Sequence, residues 1–219
     1  KFKLNKEQNA ALEYLQKVNN KFDVSVLQGT TGSGKTLVYF QRIKKIIEKN
    51  EQALVLLPEI FLTNDFKSRF EDYFGFEPAI WHSKITPKQK RIIWQGIINN
   101  RIKILVGARS ALLLPFKKLG LIIVDEEHDT SYKQDEGVIY NARDMAISRA
   151  KFENIPIHLV TAVPSIETFK NVCSKKYRHI KILKRYNDIP LPKTKIINLN
   201  LKKLKKRSIA DDTINLVKK

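Results

Sequence analysis

The sequence predicts an α/β fold: three layers, with a mostly parallel sheet between two layers of helix. Three observations predict it. Short Val/Ile/Leu-rich runs alternate with amphipathic segments, as they do where helices cover both faces of a parallel sheet. The run Gly29-Thr30-Thr31-Gly32-Ser33-Gly34-Lys35-Thr36 falls between one such strand and one such helix. At 219 residues, 42% hydrophobic and 29% charged, the chain lies in the globular range and allows one large domain with part of a second.

The elements follow in order. Leu4, Ala11, Leu12, Leu15 and Val18 stand near helical spacing, so Asn5 to about Val18 reads as a helix. Asp23–Leu27 is a buried strand, and Lys35–Glu48 the helix after the glycine-rich loop. Ala53–Leu57 is the next strand, followed by a helix from Thr63 to Tyr73. Pro78–Trp81 is a short strand, and Pro87–Ile98 a helix with proline in its opening turn. Ile102–Val106, Leu121–Val124 and Pro156–Val160 are further strands, with a helix near Ala142–Ala150 before the last. After Tyr186 the pattern changes. Asn187–Pro192 is a connector, Lys195–Leu199 one more strand, and Ser208 caps a helix still open at Lys219.

Charge and composition bound the function. The chain has 41 Lys+Arg against 22 Asp+Glu, a net charge of +19. From Lys170 to Lys219 there are 16 Lys/Arg and 3 Asp. Such a stretch is either a footprint for phosphate backbones or a solvated face, and charge alone does not decide. No apolar run approaches the roughly 18 residues that a membrane span needs. Lys1–Lys6 carries no apolar signal region, so export is not expected and a cytoplasmic location is. A lone Cys173 excludes a disulfide framework or multi-cysteine zinc site within these residues.

The chemistry starts at the glycine-rich run, which matches the P-loop pattern G-x-x-x-x-G-K-[ST] between a strand and a helix. Small residues let successive backbone N–H groups face phosphates, aided by the positive end of the helix. Gly29, Thr30, Thr31, Gly32, Ser33, Gly34, Lys35 and Thr36 are thus the nucleotide cradle. Lys35 reaches the β- and γ-phosphates, and the Thr36 hydroxyl ligates Mg²⁺. Such a site needs an acid at a neighbouring strand end, and Asp125-Glu126-Glu127-His128 after Leu121–Val124 supplies it. Asp125 holds Mg²⁺ through water, and Glu126 orients and deprotonates the attacking water. ATP and Mg²⁺ are the expected cofactors.

Asp-Glu-x-His after a P-loop resembles the DExH group of superfamily 2 helicases. The surrounding words resemble one family within it, the PriA primosomal replication-restart helicases. They are Leu56–Ile60 with Leu62-Thr63, Trp81–Ser83, Gly107–Ala111, Pro115-Phe116, Leu121–Gln134, Ala142–Asp144 and Pro164–Thr168. The resemblance runs from about Leu4 to Leu199. It implies a RecA-like P-loop lobe of an ATP-driven 3′→5′ DNA helicase that acts at stalled forks and helps reload the replication machinery. Single-stranded and forked DNA and other primosome and replication-restart proteins are the implied partners, with no membrane. The implied organisation is a first motor lobe over residues 1–185, a linker over 186–193 and the start of a truncated second lobe over 194–219. The family's DNA-binding portion before the motor and its zinc-binding cysteines beyond the second lobe's start are then missing. A lobe without its partner is expected to bind Mg-nucleotide, hydrolyse it poorly and not unwind DNA.

The same resemblance places further residues. Gln8 corresponds to the adenine-reading glutamine, whose amide offers a donor and an acceptor together. Pro58, Glu59, Thr63, Arg109 and Ser110 fall where such helicases contact the single-strand backbone. His128 belongs to the network linking nucleotide and DNA, and the segment from His128 to Tyr140 resembles the loop that couples them. In that segment Tyr132, for stacking on a base, and Lys133 are assigned to DNA. Two positions depart from the family pattern. Thr161-Ala162-Val163 keeps the first hydroxyl of the usual Ser-Ala-Thr and loses the last, which puts coupling to strand separation in doubt. Val138-Ile139-Tyr140 lacks the usual aromatic and arginine.

Two other readings compete. Another superfamily 2 translocase is opposed by the stretch from Asp129 to Asp144. A basic nucleic-acid module with a relic P-loop is opposed by Lys35, Thr36, Asp125 and Glu126 all being present. His82, His128, His158 and His179 form no metal set by spacing, His158 reads as a strand residue, and Trp81 and Trp94 as packing residues.

Overall fold

Each helix begins where a cap and an apolar stripe coincide. In the computed structural model, which describes residues 3–18 and 21–185, Asn5 and Gln8 form a capping box that opens α1 (Lys6–Gln16). β1 (Asp23–Gly29) runs into the glycine-rich loop, and α2 (Lys35–Ile47) leaves it. β2 (Gln52–Leu56) leads through a 3-10 turn at Glu59–Phe61 to α3 (Asn64–Phe74), capped by the Thr63 side chain. β3 (Ala79–Trp81) is followed by α4 (Pro87–Ile98), opened by a Thr86/Gln89 capping box and Pro87. β4 (Ile104–Gly107) and a 3-10 turn at Arg109–Leu113 precede β5 (Leu119–Asp125). A 3-10 turn at Thr130–Tyr132 then enters a small hairpin, β6 (Lys133–Gln134) and β7 (Tyr140–Asn141). α5 (Ala142–Phe152), β8 (Pro156–Thr161), α6 (Ile166–Cys173) and β9 (Arg178–Ile182) complete the described chain.

The main sheet has the order β3-β4-β2-β5-β8-β1-β9, and every pair in it is parallel. The only antiparallel pair among the described residues is the β6–β7 hairpin. One face packs Ala11 and Leu15 of α1, Val38, Phe40 and Ile43 of α2, and Phe66 and Phe70 of α3 against inward-facing strand residues such as Leu27, Val55 and Ile123. The other face packs Ile97 of α4 and Ala142, Ala146 and Ala150 of α5 against Val26, Leu54, Val124 and Leu159. The expected three layers and α/β class are therefore present. Parallel pairing puts all strand C-termini at one edge, and β8 stands between β1 and β5. The glycine-rich loop and the Asp125 loop thus flank one strand end, where open α/β sheets bind ligands.

The anticipated elements stand within about three residues of their expected bounds. The 3-10 turns, the hairpin, α6 and β9 carry too weak a period to be read: α6 has eight residues and buries only Thr168, and β9 buries only Ile182. The linker 186–193, the second-lobe start 194–219 and the elements read after Tyr186 lie outside the described residues. No helix among the described residues is long and apolar enough to cross a membrane.

Candidate active site

The glycine-rich loop is shaped by backbone. Gly32 and Gly34 hold φ of 81° and 78°, the left-handed region that glycine enters without strain. Gly34 is also the N-cap of α2 and supplies no side-chain cap, so the first N–H groups of that helix face the loop without a side-chain acceptor. A Cβ on Gly34 would collide with Gln8 Nε2, and one on Gly29 would come 3.2 Å from the Ile182 carbonyl oxygen. Lys35, nearly buried, folds its ammonium back to donate to Gly29 O at 2.8 Å and Thr30 O at 3.4 Å. Ser33 Oγ is buried without a hydrogen-bond partner.

Facing this loop is the end of β5. Asp125 Oδ2 accepts from the Tyr39 hydroxyl at 2.9 Å, and Oδ1 accepts from Glu126 N at 3.0 Å. Burial pushes the Asp125 carboxyl up to about 6, and the Glu126 carboxylate adds to the rise. Glu126 holds φ of 49°, a left-handed conformation uncommon for a residue with a side chain. Such a conformation is sustained by surroundings that fix it, here the turn bond from Asp129 N to Glu126 O at 2.8 Å. The two loops enclose a cavity of about 350 Å³ lined by Thr31, Gly32, Gly34, Lys35, Thr36, Asp125 and Glu126, with Leu37, Phe40 and Arg69 on its α2–α3 side. A larger cavity, about 630 Å³ between α3 and α4, lies away from these residues and gathers no comparable set. We therefore place the chemistry in the smaller one.

These residues fit a magnesium-bound nucleotide. A loop with no room for a Cβ at Gly29 or Gly34, and an orphaned Ser33 hydroxyl, suit close approach of phosphate oxygens. No cluster of three or more His, Cys, Asp or Glu able to hold a metal occurs among the described residues. A metal held by Thr36 and Asp125 would complete its shell with water and phosphate oxygens, the habit of Mg²⁺ rather than of zinc or calcium.

His128 Nδ1 lies 2.7 Å from Thr161 Oγ1, whose own proton goes to Val163 O at 2.8 Å. The imidazole must then donate to Thr161, with Glu126 Oε2 3.7 Å from the same nitrogen. The first hydroxyl of Thr161-Ala162-Val163 is thus joined to the acidic loop. Glu127 is the scaffold member of that loop. Fully buried, it accepts from Arg143 at 3.2 Å, Ser165 N at 2.8 Å, Ser165 Oγ at 3.0 Å and Thr168 Oγ1 at 2.9 Å, tying β5 to α5 and α6.

Two expected roles need correction. Tyr132 is 1% exposed, and its hydroxyl lies 2.6 Å from Asp125 O and 3.0 Å from Leu56 O. Its ring is in the core and cannot stack on a base. Gln8 is fully buried too. Its oxygen accepts from Asn5 N at 2.9 Å and its nitrogen donates to Ser33 O at 2.9 Å. It braces α1 and the glycine-rich loop, and its amide is not open to a purine edge.

The remaining residues assigned to DNA gather in loops at the C-terminal edge of the sheet, and most are already engaged. Thr63 caps α3, and Glu59 accepts from Ser83 at 3.2 Å. Arg109 donates to Lys133 O at 2.7 Å, and Ser110 accepts from Trp81 Nε1 at 3.1 Å. The Lys133 ammonium pairs with Asp135 at 3.0 Å, and Pro58 is buried. Tyr39 and Arg143 were missed as site residues. Tyr39 stands four residues after Lys35, on the same helix face, and that spacing was the available signal.

The chain matches the DEAD/DEAH box helicase family over residues 5–172. It is 46% identical over 205 residues to the replication restart protein PriA of Rickettsia felis, covering 94% of this chain and 31% of that one. Against the protein of the same name from Bacillus subtilis it is 37% identical over 198 residues, covering 90% of this chain and 25% of the other. The chain thus spans under a third of the length of these curated relatives. Among solved structures, RecG bound to a three-way DNA junction matches with a TM-score of 0.60 at 23% identity, covering 84% of this chain and 24% of that one. The Hef helicase domain of Pyrococcus furiosus matches with a TM-score of 0.59 at 18% identity, covering 83% and 39%. These two show the fold.

Proposed function

The chain belongs to the DEAD/DEAH box helicase family, and from that premise we propose that it is the ATP-binding motor lobe of a PriA-like 3′→5′ DNA helicase working in replication restart and primosome assembly at stalled forks. The observation that carries this reading is the single cavity onto which Lys35, Thr36, Asp125 and Glu126 converge. The sequence likeness to PriA proteins over nearly the whole chain supports the choice within the family.

Lys35 leaves the carbonyls of Gly29 and Thr30 to pair with phosphate oxygens, while the backbone N–H groups from Gly32 to Thr36 hold the rest of the phosphate chain. Thr36 and Asp125 would hold Mg²⁺, directly and through water, and the ion would supply positive charge against the charge that develops on the terminal phosphates. Glu126, whose side chain is about a quarter exposed, takes the proton of the attacking water. His128, fixed by Thr161, stands beside Glu126 and reports the state of the following segment. Arg109, Ser110, Glu59 and Thr63 contact the backbone of single-stranded or forked DNA without reading sequence. RecG in its junction complex gives the kind of substrate its name states. Hydrolysis by this lobe alone is slow, because phosphoryl transfer draws on charge from several sides.

Calorimetric titration of Mg-ADP and Mg-ATP into this chain tests the reading, with Lys35→Ala beside it. Saturable binding that the substitution abolishes is the expected result. A folded chain that binds neither nucleotide overturns it.

A further inference from the structure

Tyr39 has no role in the chemistry described so far, and its surroundings are unusual. It is the fifth residue of α2, one turn after Lys35 on the same face, and is fully buried. Its ring meets Phe40 edge-on with centroids 5.2 Å apart, and Phe40 in turn packs on Phe66 and Phe70 of α3. A ring needed only for packing would be served by phenylalanine, since a buried hydroxyl must find a partner. This one has the Asp125 carboxylate, whose Oδ2 lies 2.9 Å away.

The direction of this bond follows from the groups themselves. An ionised carboxylate only accepts, so Tyr39 donates to Asp125. The second Asp125 oxygen is held by Glu126 N.

We propose that Tyr39 is a positioning residue for Mg²⁺: its hydroxyl, donating to Asp125 Oδ2, presets the carboxylate that would hold the ion's water shell. The inference rests on the nucleotide site proposed above and adds to it a residue outside both sequence motifs. Tyr132 works on the same aspartate from the other side, through the main-chain carbonyl. Asp125 is thus gripped by one tyrosine at its carboxylate and by another at its backbone.

The test is ADP binding to the 219-residue chain across a Mg²⁺ series, for the wild type, Tyr39→Phe and Lys35→Ala. The phenylalanine variant should keep the wild-type affinity for ADP without Mg²⁺, because the glycine-rich loop and Lys35 are intact. It should need on the order of tenfold more Mg²⁺ to reach the metal-dependent gain, the scale of one hydrogen bond to a charged group. A variant that melts earlier yet shows the wild-type Mg²⁺ requirement overturns the proposal, because packing alone would do that. Should Tyr39→Phe not fold, 3-fluorotyrosine placed at position 39 decides. Its fluorine signal should move when Mg²⁺ joins bound ADP and stay when ADP binds alone; a signal indifferent to Mg²⁺ overturns the proposal. A chain that binds no ADP at all fails earlier, at the nucleotide site, and takes this inference with it.

Discussion

The glycine-rich loop and the loops after β2, β4 and β5 stand along one edge of the sheet, yet opposite means hold them. The first is shaped by what it lacks: positive φ at Gly32 and Gly34, and a close approach at Gly29 that leaves no room for a side chain. The others are shaped by side chains that reach across. Tyr132 joins β2 to β5 through two carbonyls, Arg109 ties the β4 loop to Lys133, and Trp81 holds Ser110. The first should therefore break when atoms are added, and the second when atoms are removed. A loop that wraps phosphate needs its own N–H groups uncovered. On the function proposed above, loops that contact a single strand would need to be linked, so that a push on one reaches Asp125.

Gly34→Ala should have the largest effect. It forces a side chain into left-handed backbone and against Gln8 Nε2, together costing about 3 kcal/mol. Thermal unfolding should show this, and calorimetry should show ADP affinity lost. Gln8→Ala removes the collision but also the bonds to Asn5 N and Ser33 O, so the double variant should lie below Gln8→Ala alone by the backbone strain only. An alanine tolerated at 34 would break the first half of the comparison.

Tyr132→Phe tests the second half. Removing the hydroxyl leaves Leu56 O and Asp125 O without this buried donor, at a cost of about 2 kcal/mol, while ADP binding in the absence of Mg²⁺ should persist. Unchanged stability with weakened binding to a single-stranded oligonucleotide would return Tyr132 to the DNA surface.

This contrast also explains what the sequence could disclose. The phosphate cradle is one contiguous word, and its acidic partner is a strand end four residues long, so both are legible without knowing what lies beside them. The residues joining the other loops are dispersed. Tyr132 and Gln8 looked like ligand contacts because a tyrosine or glutamine near a motif carries no sign of which way it faces. That depends on α1 packing against α2 and on β2 pairing with β5, long-range facts that no local pattern records. Tyr39 was within reach through its spacing from Lys35, whereas Glu127 needed α6, a helix too short to be seen.

A perturbation that should weaken both regions together lies deeper in the sheet. His158 of β8 is fully buried between β1 and β5, and burial, with Arg42 next in weight, pushes its imidazole down to about 3. The folded chain keeps it neutral, whereas the unfolded chain protonates it near the ordinary value of 6.5. The unfolded state then binds more protons between those values, so stability falls as pH drops through that window. The loss between pH 7 and pH 5 should be about 2 kcal/mol. His158→Leu should flatten that part of the acid limb, measured by denaturant unfolding at several pH values. An unaltered limb would assign the acid sensitivity to other groups.

The smallest effect on folding, and the sharpest test of the linked loops, is expected from Arg109→Ala. Its bond to Lys133 O is exposed, so its loss should change stability by no more than about 0.5 kcal/mol. If the guanidinium also meets a backbone phosphate, affinity for an oligothymidine should fall. The slope of log affinity against log salt should then shrink by roughly 0.7, one contact on a single strand. A brace and a phosphate contact differ in what lysine can replace. Arg109→Lys keeps the charge but loses the planar fork that can reach a carbonyl and a phosphate together. It should therefore retain the salt slope while loosening the Lys133 loop, seen as faster amide exchange at Ser131–Gln134. If lysine instead preserves the loop and loses the slope, Arg109 reaches DNA through geometry rather than charge, and the β4 loop is held by Trp81 and Ser110 without it.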